Sequence, residues 1–203
     1  MNNRSILLVY AHPDDESFSA GGTIAKYRAQ GADIRLICAT RGEAGKTAGY
    51  STAEELGITR EKEVREAAKV LGIKEVTFLG YRDKELNKAN PLEITLKIAK
   101  TIREFKPQVV ITFGPDGSSG HQDHKAIHHF TIAGIKLASQ PEIPELDGPL
   151  YRVPRLYYVA LPHAVRAALG RTERLPEPDT VIDTAAFAGV KMNALKCHKT
   201  QSG

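Results

Sequence analysis

Residues 5–16 read SILLVYAHPDDE: an apolar run, SILLVY, is followed by a histidine and three acids. The run is apolar at successive positions rather than alternating, as expected of a strand buried on both faces. Comparable β-rich runs recur at 33–39, 75–79, 108–113 and 155–159. Strands of this kind are typical of a parallel sheet whose two faces are both covered by helices.

Helical patterns separate these strands. The clearest covers residues 91–105, where Pro91 suits the first turn and apolar residues recur on one face. Further helices are predicted over 21–30, 60–71, 122–139 and 183–198. The alternation of strand and helix predicts one domain over 1–203 with an α/β, Rossmann-like fold: a mostly parallel sheet with helices on both faces.

The composition excludes several classes of protein. The 203 residues include 28 basic and 24 acidic side chains, a net charge of +4 without a block of like charges, which argues against nucleic-acid binding. The two cysteines are far apart, as in a protein kept reduced. The first apolar run is too short for a signal peptide or a membrane span. We expect a cytoplasmic protein that binds neither nucleic acid nor membrane.

The acids after the first strand predict a cation site. Ligands of parallel sheets bind at the carboxyl ends of the strands, so the loops after the strands share one rim. His12 and Asp15, spaced H-x-x-D, can converge on one ion while Asp14 faces its open side. The HQDH segment at 121–124 offers a third ligand, and two imidazoles with one carboxylate suit Zn²⁺, or Fe²⁺. Glu16 is expected to accept hydrogen bonds from backbone amides of the turn.

Two motifs on this rim carry a family resemblance. AHPDDE at 11–16 and GHQDH at 120–124 resemble the signature of the LmbE-like, PIG-L-type zinc deacetylases, and the likeness extends to 40–43 (TRGE), 80–83 (GYRD) and 191–201 (KMNALKCHKTQ). The resemblance implies a hydrolase that removes the acetyl group from an N-acetylglucosamine-containing small molecule. It also implies a homo-oligomer. Family members usually continue past the last motif, so we expect a C-terminal tail, and with it part of the substrate pocket, to be lacking.

The resemblance also assigns roles. It implies three metal ligands, His12, Asp15 and His124. It implies Asp14 as the general base, and His121 as the electrophile or acid that faces the reacting carbonyl. We expect Asp123 to hold His121 in orientation, as carboxylates near a metal site do for histidine.

Five further residues are expected to contact the substrate, because they lie in loops of the same rim or in the last motif: Arg41, Glu43, Arg82, Asp83 and His198. Structural roles compete with this interpretation. Arg41 and Glu43 are able to pair with each other, and Asp83 is able to cap a helix.

Two other functions stay open at this stage. A metal-dependent phosphoesterase would use the same rim but favours two metal ions and more carboxylates. A non-catalytic sugar-binding α/β domain would leave Asp14 beside a metal without a purpose.

Overall fold

The computed structural model describes residues 4–141, 143–161, 163–168 and 178–201, and its core is a five-stranded sheet. The strands are Ser5–Tyr10 (β1), Asp33–Thr40 (β2), Glu75–Tyr81 (β3), Val109–Phe113 (β4) and Arg155–Val159 (β5). All neighbouring pairs are parallel, in the order β3-β2-β1-β4-β5. The predicted α/β fold with a parallel sheet is confirmed, and all five predicted strands are present.

In the described part of the chain, seven α-helices surround the sheet: Gly21–Ala29 (α1), Leu56–Leu71 (α2), Pro91–Phe105 (α3), Gly117–Gly120 (α4), Gln122–Ala138 (α5), His163–Ala168 (α6) and Ala188–Leu195 (α7). Helices α3 and α5 pack together, while α1, α2 and α7 form a second group. The interior of β1 is completely buried between these layers. No helix within the described ranges has both the length and the apolar character that crossing a bilayer requires.

Two helix predictions need correction. Helix α2 begins at Leu56, four residues before the predicted start, so the polar loop after β2 is shorter than expected. The helix predicted over 183–198 is broken: the carboxylate of Asp183 accepts a hydrogen bond from the amide of Ala185, a 3₁₀ turn follows, and only Ala188–Leu195 is α-helical. Side chains that bond to a nearby backbone amide favour such turns over a continuous helix.

The order of the strands positions the functional site. From β1 the chain builds outward through β2 to β3, then returns to place β4 on the other side of β1. The crevice between the carboxyl ends of β1 and β4 is therefore the switch point at which sheets of this kind bind ligands. The two loops that carry AHPDDE and GHQDH leave the sheet at this crevice.

Candidate metal centre and active site

The carboxylate of Asp15 is fixed by the turn that follows β1. Its Oδ2 accepts hydrogen bonds from the backbone amides of His12 at 2.8 Å and Ala11 at 3.2 Å. Its Oδ1 lies 3.3 Å from Nε2 of His124. Burial raises the pKa of Asp15, but the two histidines and the amide hydrogen bond outweigh it and lower the pKa below its ordinary value. Asp15 therefore presents one oxygen of an ionised carboxylate to the crevice.

His124 lies in the first turn of α5 and has its ring held from two sides. Its Nδ1 lies 3.1 Å from the carbonyl oxygen of Gly117 and 3.0 Å from Oγ of Ser119, and the ring stacks on Phe113 with 3.9 Å between centroids. A hydrogen bond from Nδ1–H to the carbonyl leaves the lone pair on Nε2, the arrangement usual for a metal-binding histidine. Gly117 permits this packing, because at its φ of 67° a Cβ atom would lie only 3.1 Å from Cβ of His124.

The ring of His12 lies between Asp15 on one side and the carboxylates of Asp83 and Asp123 on the other. Its Nδ1 lies 3.2 Å from Nε2 of His124 and 3.7 Å from Oδ2 of Asp15, while its Nε2 lies 3.0 Å from Asp83 and 3.2 Å from Asp123. Burial lowers the pKa of His12, but hydrogen bonds to Asp123 and Asp83 and the charge of Asp15 together raise it to about 10. The surroundings of this ring thus favour a positive charge.

These three residues fit a transition-metal site. Tetrahedral ligands about 2.0–2.1 Å from zinc lie about 3.3 Å from each other. Nδ1 of His12 and Nε2 of His124 are 3.2 Å apart, and Asp15 lies 3.3 Å from His124 through Oδ1 and 3.7 Å from His12 through Oδ2. A cation bound to His124 and to Oδ1 of Asp15 would therefore have the ring of His12 within reach. His121 lies beside this set, since one ring nitrogen from each of the three histidines falls within 4.8 Å of the others.

Asp14 stands next to the ligand set and has a different environment. Its side chain is 18% exposed, and its Oδ2 lies 3.4 Å from Nη2 of Arg60. Burial and the charges of Asp15 and Glu16 raise the pKa of Asp14 to about 7, with Arg60 acting in the opposite direction. The carboxylate of Asp14 is therefore partly exposed and has a pKa of about 7.

Arg60 also lies at the site, although it was not predicted from the sequence. It lies in the first turns of α2, where Nη2 donates to the carbonyl oxygen of Pro13 at 2.6 Å and Nη1 to that of Gly42 at 2.9 Å. The guanidinium thereby joins the loops after β1 and β2. A signal was available, because Arg60 falls on the buried stripe of the predicted helix, one turn before Val64.

His121 is oriented by the start of α5. As the N-cap of this helix, it accepts a hydrogen bond from the amide of Asp123 at 3.2 Å through Nδ1. Burial lowers the pKa of His121, and repulsion from His12 and His124 lowers it further. A neutral ring whose Nδ1 is an acceptor carries its proton on Nε2, so His121 is a hydrogen-bond donor at that atom.

The carboxylate of Asp123 lies elsewhere than predicted. Its oxygens accept hydrogen bonds from the amides of Lys84 at 2.7 Å and Leu86 at 3.2 Å, and Oδ2 lies 3.2 Å from Nε2 of His12. These amides, from the loop after β3, draw the completely buried carboxylate to His12. Asp123 is therefore placed to orient His12, and its connection to His121 runs through its backbone amide.

Two of the residues predicted to contact the substrate instead form hydrogen bonds around His12. Asp83 is buried, with Oδ1 at His12 and Oδ2 accepting from the amide of Ala44 at 3.1 Å. Burial raises its pKa, but the bond and charge of His12 and the amide of Ala44 lower it to about 2. Glu43 accepts from the amide of Asp83 at 2.9 Å. Asp83 therefore supports His12 and does not cap a helix.

The other three predicted contacts differ in accessibility. Arg41 is exposed and pairs with Glu61 at 2.7 Å, not with the acid two positions along. Arg82 is exposed in the loop after β3. His198 is only 1% exposed, and its Nε2 lies 2.9 Å from Oε1 of Glu16. His198 is thus buried against Glu16, whereas both arginines are exposed.

Comparison with known families identifies the family of this chain. A family model described as "PIG-L: GlcNAc-PI de-N-acetylase" matches residues 7–135, well over half of the chain. The chain belongs to the PIG-L family. The resemblance read from the motifs is confirmed, and with it the predicted class of enzyme, a hydrolase of the N-deacetylase type.

Individual PIG-L relatives extend the likeness over the whole chain. A 1D-myo-inositol 2-acetamido-2-deoxy-alpha-D-glucopyranoside deacetylase of Rhodococcus jostii is 35% identical, covering 99% of this chain and 82% of the relative. A probable N-acetyl-alpha-D-glucosaminyl L-malate deacetylase 2 of Bacillus anthracis is 34% identical, covering 98% and 82%. The structure of N,N'-diacetylchitobiose deacetylase from Pyrococcus horikoshii matches with a TM-score of 0.83 at 25% identity, covering 100% of this chain and 72% of that one.

Proposed function

We propose that this PIG-L family protein is a zinc-dependent hydrolase that removes the acetyl group from an N-acetylglucosamine-containing small molecule, releasing a free amine and acetate. The observation that supports it best is the convergence of two imidazoles and one carboxylate: Nδ1 of His12 lies 3.2 Å from Nε2 of His124, and the two oxygens of Asp15 lie 3.3 Å from His124 and 3.7 Å from His12. The carboxylate of the adjacent Asp14 is not part of this set and stays partly exposed. Three ligands with an open position and a separate base are the equipment of zinc hydrolases.

The metal would be held by His12, Asp15 and His124. A zinc ion bound there would polarise the acetyl carbonyl and lower the pKa of an attacking water. Asp14 takes the proton of that water, and Arg60 limits where its carboxylate lies through the contact at 3.4 Å. A positioned base of this kind contributes about 10²–10⁴-fold in rate.

His121 acts at the carbonyl oxygen. With Nδ1 engaged by the amide of Asp123, its Nε2–H donates to the negative charge that develops as water adds to the amide. The C–N bond then breaks, and the departing nitrogen takes a proton from Asp14 or His121. The amide and one water are thereby converted into acetate and the free amine.

The substrate is proposed to be an amino sugar with a small polar aglycone. The relatives named above act on N-acetylglucosamine joined to inositol or to malate. Arg41 and Arg82 are the exposed members of the predicted substrate set, so contacts with the aglycone are assigned to them. Asp83 and Glu43 act indirectly, by supporting His12 and its loop.

The test is acetate release by the zinc-loaded protein from N-acetylglucosamine conjugates of inositol and malate. Asp14→Asn is expected to keep about one metal ion per chain and to lose about 10²–10⁴-fold in rate. The matched control is Asp33→Asn, at the opposite end of β2, where the carboxylate pairs with Lys74. It should retain the wild-type rate. Loss of metal from Asp14→Asn, with full retention in Asp15→Asn, would reverse the roles of the two acids.

A phosphoesterase would need a second metal site. Asp83 and Asp123 form another group of potential ligands, but this group shares His12 with the first set, so the two groups do not provide two independent metal sites. The deacetylase proposal is therefore preferred over the phosphoesterase. The choice of Zn²⁺ over Fe²⁺, a cytoplasmic location and a homo-oligomer stay predictions, to be checked by metal analysis of the purified protein, cell fractionation and light scattering.

A further inference from the structure

The general base proposed above has a strained backbone. Asp14 has a φ of 111°, in the region that residues other than glycine rarely adopt. Such conformations persist only where the surroundings enforce them, and they concentrate at functional sites. The carbonyl oxygen of Asp14 accepts hydrogen bonds from the amides of Ser17 and Phe18, both at 3.0 Å. These bonds fix the carbonyl side of Asp14. Fixing its amide side as well requires a hydrogen-bond acceptor for the N–H.

Glu16 provides that acceptor. Its Oε2 accepts from the amide of Asp14 at 3.1 Å, as the sequence predicted for this acid. Its Oε1 accepts from Oγ of Ser17 at 2.5 Å and from Nε2 of His198 at 2.9 Å. Glu16 is completely buried, and a buried carboxylate is stable only with partners that supply hydrogen bonds and positive charge.

His198 reaches this carboxylate from the far end of the chain. It belongs to the segment HKTQ at 198–201, which is anchored independently. The amide and hydroxyl of Thr200 donate to Glu63 at 2.9 and 2.6 Å, and the side-chain amide of Gln201 donates to the carbonyl of Lys46 at 3.1 Å. The segment is thus docked by contacts that do not include Glu16, and His198 is its one residue directed at the catalytic turn.

We infer that His198 is a positioning residue of the deacetylase: through Glu16 it holds the backbone of Asp14 in its strained conformation and so places the base carboxylate. The inference rests on the proposed role of Asp14. It differs from the substrate contact expected for His198, whose ring is buried and bonded to Glu16. The C-terminal motif thereby becomes part of the catalytic apparatus without touching the substrate.

The test uses the zinc-loaded full chain with the conjugate that the wild type deacetylates. His198→Ala is expected to lower kcat about 10–100-fold with KM changed less than about 2-fold, as for displacement of a catalytic group by a fraction of an ångström to one ångström. Metal content should be retained. His198→Gln, whose side-chain amide can still donate to Glu16, should restore most of kcat. Tyr151→Phe, which removes the hydrogen bond from its hydroxyl to the carbonyl oxygen of Pro107 at 3.1 Å, away from the catalytic turn, should lower the melting temperature and leave kcat unchanged.

A double-mutant cycle separates positioning from general loss of structure. In the Asp14→Asn background, His198→Ala should change kcat by less than about 2-fold, since residues that act as a unit are not additive. An equal loss in both backgrounds, or a rise in KM with kcat unchanged, would overturn the inference.

A crystal structure of His198→Ala tests the inference without any assay. Asp14 is expected to leave its positive φ, and an unchanged turn at Asp14 would overturn the inference even if no substrate is found. Inactivity of the wild-type protein would count against the proposed function alone. If His198→Ala does not fold, Glu16→Gln and Glu16→Ala replace it: Gln keeps an acceptor for the Asp14 amide and should lose less of kcat than Ala, and equal kcat values in Glu16→Ala and the wild type would overturn the inference.

Discussion

His124 assigns its two ring nitrogens to different tasks. One is committed to the carbonyl of Gly117, and the other is turned toward Asp15 and His12. His128, one turn later on the same helix, uses its Nδ1 for the carbonyl of Phe113 and is remote from the ligand set. The two histidines therefore provide a matched pair in which only one is expected to bind metal.

His124→Ala is expected to reduce metal affinity by more than about 100-fold, because even partners of a ligand contribute 10–100-fold. His128→Ala should keep about one ion per chain and lose only stability. Elemental analysis after dialysis against a weak chelator measures both. Stoichiometric metal in His124→Ala would transfer the ligand role to His121, which lies within reach of the same point.

The sequence is informative for some of these residues and silent for others. That His12, Asp15 and His124 come together was predictable, because the two motifs that carry them follow strands at the same rim; their role as metal ligands stays a prediction. The partners of His12 were not predictable: Asp83 and Asp123 reach it across the sheet, and their bonds depend on how three loops pack. For the same reason the contact of His198 with Glu16 was not predictable from the motif that contains it.

At the scale of elements, the loop after β2 supports the site through Gly42. This residue has a φ of 65°, and a Cβ atom there would lie 2.2 Å from Nη1 of Arg60. Arg60 in turn contacts Pro13 and Asp14. A side chain at position 42 would therefore displace the guanidinium of Arg60 and, through it, the carboxylate of Asp14.

Gly42→Ala is expected to reduce kcat, with Gly49→Ala as its control. Gly49 also has a positive φ, 79°, but has no atom within 4 Å of an added Cβ. Both substitutions carry the backbone cost of about 1–2 kcal/mol in free energy of unfolding, whereas only the first displaces Arg60. Denaturant titration together with steady-state kinetics distinguishes them, and equal kcat values in the two variants would contradict the role given to Arg60.

The helix boundaries show where local patterns stop being sufficient. Helix α3 agrees with its prediction at both ends because Pro91 and the side chain of Asn90 define its start. The last helix does not, because Asp183 forms a turn that the apolar pattern alone cannot reveal. The start of α2 was missed because the segment LGIT at 56–59 contains Gly57 and the exposed Ile58, which interrupt the apolar pattern of the buried face.

For the molecule as a whole, the bond between Glu16 and His198 joins the first loop to the last segment. Burial lowers the pKa of His198, but the hydrogen bond and charge of Glu16, with smaller contributions from Asp14 and Glu63, raise it above its ordinary value. A raised pKa in the folded state means that protonation favours folding. This stabilisation is complete below the unfolded pKa of about 6.5 and is lost as pH rises through the folded pKa.

The wild type is therefore expected to exceed His198→Gln in free energy of unfolding at about pH 6 by more than it does at about pH 9. Urea titrations of the metal-free proteins at both pH values measure the difference. A difference in free energy of unfolding that does not change with pH, or that is larger at pH 9, would contradict an ion pair between Glu16 and His198.

The order of the strands has a consequence for how the protein acquires its metal. The two imidazoles that face each other at 3.2 Å are 112 positions apart, and the strands that carry them become neighbours only after β2 and β3 have been laid down on the other side. Small zinc domains fold around their ion because the ligands are close in sequence. A cation held by these two imidazoles would therefore depend on prior assembly of the sheet, which brings the loops after β1 and β4 together.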